Sequence, residues 1–390
     1  MQRRDFLKYS AASAIGLIAG GMQPAGYAAE ISQSAVAKRE SNFGSQEQPI
    51  RQYLDALVAT GSPPGLNVVV WQDGRSVFSH CAGRERFADP NSRAITPASR
   101  FNVGSVTKPV TGALLLKLVE AEKLKVADKV VQFIPEFPHG DVTLLHLMMH
   151  TSGYDPKQGI QWPKSQGEVA GYLRSIYALK ERPHGPGEVR GYWTHGYSIL
   201  MDVIQRVTGQ SIAEFSKRVL FGPLRMYQTS YEVRQIPADD LVLPNTGTAL
   251  MEEYRTAPPT GDSGLWTTAD DLARFGQAVL TGRAPDGTRI FSEQHVKLML
   301  QESSGGCFNC TPLFFHHGSR KAESCFGALA SPEALAHPGF TGCLLLLDPP
   351  TQTVLAFTSN GNRFHDDWTN YAKLGDTILP GMQRLAKSVN

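Results

Sequence analysis

Ser105 and Lys108, three residues apart at the mouth of an apolar run, are the pair on which chemistry can be built. In Ser105-Val106-Thr107-Lys108 the run from Val110 to Val119 follows at once and reads as a helix. Residues three apart on a helix are neighbours, so a hydroxyl and an amine share one face. The positive end of the helix beside Ser105 favours developing negative charge. A serine hydroxyl attacks poorly until something takes its proton, and an adjacent amine of lowered pKa can do so. Alone, the pattern equally fits a helix-capping serine followed by a solvated lysine. Two later segments give it company. Tyr192-Trp193-Thr194-His195-Gly196-Tyr197 leads into a helical run, and His337-Pro338-Gly339-Phe340-Thr341-Gly342 leads into an apolar strand.

The elements that must position these residues are legible in part. Tyr53 to Ala59 predicts a short amphipathic helix, and Leu66 to Trp71 with Arg75 to His80 a hairpin around Asp73-Gly74. Ser105 to Glu122 reads as one helix, with Pro109 tolerated because it falls in the first turn. Further helical periodicity runs over Leu144 to Met149, Glu168 to Leu179, Tyr197 to Thr208 and Ile212 to Leu220. Gly209 is placed to stop the third of these, and Thr268 caps a helix running to Leu280. Cys343 to Leu347 and Thr353 to Thr358 predict a second strand pair around Asp348-Pro349-Pro350, and a terminal helix spans about Trp368 to Ala386. Strands at both ends with helices between them imply one sheet built from the two ends of the chain and a mostly helical lobe, about 105–260, inserted in it. The groove between two such lobes is the expected small-molecule site.

With 390 residues, 41% hydrophobic and 19% charged, the chain has an ordinary globular composition. Its start differs. Arg3-Arg4-Asp5-Phe6-Leu7-Lys8 precedes the apolar Ala11 to Gly20 and a small-residue stretch ending Tyr27-Ala28-Ala29. That is the layout of a cleavable signal peptide over 1–29, and the paired arginines resemble a twin-arginine export signal, so a periplasmic location is expected. Residues 30–50 read as a linker, and 51–388 as one folded domain. Cleavage removes Arg3, Arg4, Asp5 and Lys8 and leaves the mature chain close to neutral, which gives no reason to expect nucleic acid as a partner. No later stretch is apolar for long enough to span a bilayer.

Three of the five cysteines fall within Cys307 to Cys325. Cys307-Phe308-Asn309-Cys310, His316-His317 and Cys325 together make the ligand inventory of a zinc site, and equally a disulfide of Cys307 or Cys310 with Cys325. Folding before export favours the metal, since ion loading would then precede crossing; activity would in that case depend on zinc.

The three site segments, in this order and with Leu147-Met148-Met149-His150-Thr151-Ser152-Gly153 between the first two, resemble the serine β-lactamase and penicillin-binding protein superfamily. Within it the chain is most similar to the class C β-lactamase group with its D-alanyl-D-alanine carboxypeptidases and esterases. The resemblance covers roughly residues 50 to 385 and includes Phe101-Asn102-Val103-Gly104 and Ser263-Gly264-Leu265-Trp266-Thr267-Thr268. It implies an α/β (α+β) fold of the β-lactamase/transpeptidase type. It also implies Ser105 as nucleophile, Lys108 as the amine assisting it, and Tyr192 as the second proton-transfer group. A tyrosine near its ordinary pKa of ~10 needs positive charge beside it, and Lys108 is the expected source. The N–H of Phe340 with that of Ser105 would form the oxyanion hole, His337-Pro338-Gly339 would run along the substrate, and Gly339 would let it approach closely. Thr194 and His195 would line the pocket, and the motif set requires no cofactor.

Two departures stand out. Thr194 replaces the usual asparagine, and a hydroxyl cannot reproduce a two-ended amide. His337-Pro338-Gly339 replaces Lys-Thr-Gly, so a partly charged histidine would bind a substrate carboxylate weakly and with pH dependence, while Pro338 suits only a strand edge. His150 reads as a buried structural histidine, and Tyr154, Trp162 and Trp266 as pocket walls or core. The expected activity is β-lactam hydrolysis through an acyl-enzyme on Ser105. The alternatives are D-alanyl peptide or ester cleavage in the same fold, and, in a different class, a non-catalytic peptidoglycan-binding relative.

Overall fold

The computed structural model describes residues 47–247, 249–302, 310–318 and 325–387. The signal peptide, the linker up to residue 46 and Cys307 lie outside these. Helix α1 (47–59) begins inside the stretch read as linker. Strands β1 (Gly65–Gln72) and β2 (Arg75–Gly83) follow. Asp73 at φ 50° and Gly74 at φ 79° give their turn two left-handed residues, as a two-residue hairpin between right-twisted strands requires. Next come β3 (Arg100–Asn102), α2 (Thr107–Glu120), α3 (Leu144–Met148), α4 (Val169–Tyr177), α5 (Gly196–Thr208) and α6 (Ile212–Ser216). The chain continues through β4 (Leu241–Val242), β5 (Trp266–Thr267), α7 (Ala269–Thr281), α8 (Glu293–Leu300) and β6 (Phe315–His316). It ends with β7 (Leu335–Gly339), β8 (Cys343–Asp348), β9 (Thr353–Ser359), α9 (Asn362–Asp366) and α10 (Thr369–Lys387).

The main sheet is antiparallel in the order β2-β1-β9-β8-β7-β6, so the first and last long strands lie side by side. Its central strands β1, β9, β8 and β7 are buried at every position because both faces are covered, and their period of two divides the side chains between two cores. Val69, Trp71, Leu345, Leu347, Val354 and Ala356 face the core shared with α7, α2 and α5. Val68, Val70, Leu344, Leu346, Leu355 and Phe357 face the core shared with α1 and α10. A second, three-stranded sheet, β4-β3-β5, was not apparent in the sequence because its strands are two or three residues long. Tyr154 and Trp266 belong to the core, while Trp162 is exposed.

Helix α2 is buried on nearly all sides. A helix apolar all round belongs in an interior, and this one runs against α5, on which α3 also packs. Its first turn is not α-helical: Gly104–Val106 forms a 3₁₀ turn and the α-helix begins at Thr107. Side chains at i and i+3 eclipse in a 3₁₀ turn, which serves the pairing of Ser105 with Lys108 better than an α-turn. Gly209 and Gly282 stop α5 and α7 in the left-handed conformation, and the Thr268 hydroxyl accepts from the Asp271 N–H to start α7.

The contact of α7 with the sheet depends on a glycine. A Cβ at Gly276 would lie 2.6 Å from Val354 Cγ1 and 2.9 Å from Leu347 Cδ2. Gly276→Val should therefore push the helix off the sheet and cost about 1–3 kcal/mol, the usual penalty for overpacking a filled core. Urea unfolding should show a lowered midpoint; an unchanged midpoint would mean that helix and sheet are not held in this register.

Candidate active site

Three chain segments meet above the N-terminus of α2. The first is the 3₁₀ turn carrying Ser105. Lys108 reaches back from the helix, and its Nζ donates to Ser105 Oγ at 2.9 Å. Lys108 is fully buried. Its ammonium also donates to the Asp262 carbonyl at 3.2 Å and lies 3.8 Å from Asp262 Oδ2. A buried ammonium is tolerated only when hydrogen-bonded and paired, and both conditions hold here.

The second segment is the loop before α5. Gly191 N–H donates to the His150 carbonyl at 2.9 Å, fixing the loop that carries Tyr192. The Tyr192 ring lies 4.3 Å from the His150 ring and 5.9 Å from Phe315, centroid to centroid. Lys108 Nζ sits 5.1 Å from the Tyr192 ring centroid, a cation–π arrangement. Among the described residues no hydrogen bond joins the Tyr192 hydroxyl to Ser105 or Lys108, so the amine meets the face of the ring. Thr194 donates to Asp262 Oδ2 at 3.0 Å. His195 does not line the pocket as an open ligand: it is buried, its Nδ1 is bonded to the Tyr172 hydroxyl at 2.7 Å, and its ring packs against Trp162 and Trp193.

The third segment is the end of β7. Only Leu335 and Ala336 pair with β6, so His337, Pro338 and Gly339 lie on an edge open on that side. Pro338 fits there. A Cβ at Gly339 would stand 2.2 Å from the Val103 carbonyl oxygen, and one at Gly104 3.0 Å from Phe340 N. Two glycines therefore let strand and serine turn touch. The Thr341 hydroxyl ties them by donating to the Asn102 carbonyl at 2.6 Å. Among the described residues neither the Ser105 nor the Phe340 N–H is hydrogen-bonded, which leaves two donors side by side for a developing oxyanion. The Phe340 side chain, 46% exposed, stands at the rim.

His337 departs from the sequence expectation. It is buried, it contacts the Pro338 carbonyl through Nδ1 at 3.0 Å, and burial, reinforced by Lys108, pushes its pKa down to about 3. The imidazole is neutral and offers no charge to a substrate carboxylate. His150 is likewise buried and held neutral by burial, with Arg190 and Lys108 adding to the effect. It was expected to be structural; its role as the stacking support of Tyr192 was not foreseen. Nor was Asp262, a single acid in the glycine-containing loop Thr260-Gly261-Asp262-Ser263-Gly264, whose only sequence signal is an acid between small residues.

The zinc reading finds no support among the described residues. Among the described residues no three His, Cys, Asp or Glu side chains gather as a metal-ligand set. Cys310 lies against the Met149 carbonyl at 3.7 Å, below Tyr192. Cys325 packs instead in the core under α10, so the structure forms no bridge between the two. His317 bonds the Ser331 carbonyl at 2.9 Å and stacks on Phe326, and His316 stands beside it on β6. Cys307 lies outside the described residues. The cluster is adjacent in sequence and divided by the sheet edge.

The neutral His337 has a measurable consequence. Its folded pKa is depressed below the ordinary 6.5, so below that pH the unfolded chain takes up a proton that the native chain refuses. The associated stability is complete above about pH 6.5 and is lost as pH falls toward the folded value, by at most about 1.4 kcal/mol per pH unit. The stability advantage of the wild type over His337→Gln should therefore shrink between pH 7 and pH 4.5 in paired urea titrations. A difference independent of pH would contradict the burial of a neutral imidazole.

Comparison with known proteins agrees with this geometry. The family profile described as Beta-lactamase matches residues 50–376. The chain is 25% identical over 358 residues to the N-acetylmuramyl-L-alanine amidase of Bacillus subtilis (strain 168), covering 80% of both chains. Among solved structures it shares its fold with EstCE1, a hydrolase with promiscuous acyltransferase activity. The TM-score is 0.71 and the identity 18%, over 87% of this chain and 99% of that one. The D-alanine carboxypeptidase AmpC of Burkholderia cenocepacia superposes with TM-score 0.67 at 20% identity, over 86% and 99%. A serine and lysine in contact and a profile match over most of the chain lead to one conclusion: the protein belongs to the β-lactamase family of serine hydrolases, with the β-lactamase/transpeptidase-like fold.

Proposed function

We propose that this protein is an exported serine acyl-hydrolase that forms an ester on Ser105, with Lys108 drawing the proton from the attacking hydroxyl. The observation that carries this reading is the 2.9 Å contact between Lys108 Nζ and Ser105 Oγ at the open end of β7. In the reacting form Lys108 is the neutral amine: attack by Ser105 Oγ on a carbonyl carbon transfers the hydroxyl proton to Lys108 Nζ, which becomes the ammonium paired with Asp262, and the carbonyl electrons to the carbonyl oxygen. That oxygen is received by the N–H groups of Ser105 and Phe340, a donor pair typically worth a few kcal/mol in the transition state. Collapse expels the leaving amine or alkoxide, which takes a proton from the Lys108–Tyr192 side. A water then repeats the sequence on the ester and frees the serine.

The preferred substrates are esters and amides whose recognition needs no anchored carboxylate. The neutral His337 and the commitment of Thr194 to Asp262 support this, because each removes a polar contact that the resemblance would otherwise supply. The name of the similar amidase fits an amide substrate. β-Lactam hydrolysis is the second reading, favoured by the family match itself. Export, with the periplasm as destination, rests on the paired arginines and apolar stretch before residue 30.

Intact-mass spectrometry after exposure to p-nitrophenyl acetate and, separately, benzylpenicillin should show an acyl adduct that is absent in Ser105→Ala. Turnover of the ester with a persistent penicilloyl adduct supports the first reading, and rapid release of opened penicillin supports the second. No adduct with either compound, with equal mass spectra for wild type and variant, would leave a binding protein.

A further inference from the structure

The pocket side of α2 holds an acid to which the expected machinery assigns no part. Asp262 is buried, as is Lys108 beside it. Its loop is fastened to α2 by three successive side chains. The Thr111 hydroxyl donates to the Gly261 carbonyl at 2.5 Å, Lys108 to the Asp262 carbonyl at 3.2 Å, and Leu265 N–H to the Thr107 hydroxyl at 3.3 Å. The carboxylate is then held on both oxygens. Thr194 donates to Oδ2 at 3.0 Å and Ser198 to Oδ1 at 3.4 Å. Ser198 shares a contact of 2.9 Å with the Tyr172 hydroxyl, which reaches His195 Nδ1 at 2.7 Å. Four side chains from α4, α5 and the loop before α5 thus fix one anion next to the only cation that touches Ser105 among the described residues.

We propose that Asp262, held by Thr194 and Ser198, is the positioning residue of Lys108. Its carboxylate aims the amine at Ser105 and balances the amine's charge out of water. The inference rests on the reading of Ser105 as nucleophile and extends it to a group that never touches substrate. Lys108 has a long, freely rotating stem, and a hydrogen bond to one carbonyl does not by itself fix where Nζ points. The carboxylate supplies the second constraint, and in a low-dielectric interior that constraint is electrostatically strong. Thr194 then has a defined task. Its single proton goes to Asp262, so it serves the lysine rather than the acyl group of the substrate.

Asp262→Asn keeps the shape and an oxygen for Thr194 but removes the charge. Thr194→Val removes the hydroxyl and leaves the charge, and Thr194→Ser restores the hydroxyl. Pre-steady-state bursts with p-nitrophenyl acetate separate acylation from binding. Asp262→Asn and Thr194→Val should each slow acylation about ten- to a hundredfold, the loss expected when a reacting group is displaced by up to an ångström, with the dissociation constant of the initial complex, read from the concentration dependence of the burst rate, little changed. Thr194→Ser should recover most of the rate lost in Thr194→Val. The double variant Asp262→Asn/Thr194→Val should be no slower than Asp262→Asn alone, because both changes break one contact. A folded Asp262→Asn protein that acylates at the wild-type rate overturns the proposal, as do losses that multiply in the double variant. If Asp262→Asn fails to fold, equal rates for Thr194→Val and Thr194→Ser overturn it. A wild-type burst no larger than that of Ser105→Ala sinks the nucleophile reading and this inference with it, whereas a normal burst with unaffected variants sinks the Asp262 assignment alone.

Discussion

The site depends on keeping one ammonium group in a place water cannot reach. Lys108 sits on a helix that is itself interior, and among the described residues its charge is met by a serine hydroxyl, a backbone carbonyl, a carboxylate and the face of the Tyr192 ring. Desolvating an amine is costly, and the cost is offset only where every partner is fixed in advance. That requirement explains the surrounding order. The loop 261–265 must be fastened to α2, the 3₁₀ turn must present Ser105 over Lys108, and the end of β7 must close from above. Loosening any of these would expose or strand the charge.

Above the amine lies a layer of rings. His150, Tyr192, Phe315 and His337 stack or tilt against one another within 6.2 Å between neighbouring centroids, and Lys108 faces the Tyr192 ring. Both imidazoles are neutral because burial disfavours a second cation so near the first. The position at which the resemblance leads one to expect lysine is therefore filled by an uncharged ring. Neutrality removes electrostatic competition with Lys108 and gives up long-range attraction for anionic substrates. A single substitution thus couples the internal stability of the site to what the site can recruit.

Much of this was legible in the chain, and the exceptions have physical causes. The spacing of Ser105 and Lys108, the Asp73-Gly74 turn and the stop at Gly209 are local patterns, and local patterns survive translation into structure. The strand pair Cys343 to Leu347 and Thr353 to Thr358 was legible as two apolar runs around a turn, and the structure buries both along their length. Burial of a polar group was not legible. His337 looked half-charged because its neighbours in space, Lys108 and Tyr192, come from segments far away in sequence. Asp262 escaped notice for the same reason. The Cys and His cluster misled in the opposite sense, since closeness along the chain concealed that the sheet edge separates Cys310 from Cys325.

The pairing of β1 with β9 carries a consequence for how the chain is made. Val68 lies opposite Phe357 and Leu66 opposite Ser359, contacts that join residues nearly three hundred positions apart. Such pairings impose a large loop-closure entropy and slow the search for the native topology. During synthesis β1 and β2 emerge first and can form only an isolated hairpin, with one edge of β1 unsatisfied until almost the whole chain has been translated. The growing polypeptide therefore carries a sticky strand through most of its production, and its dependence on chaperones should be concentrated in that interval.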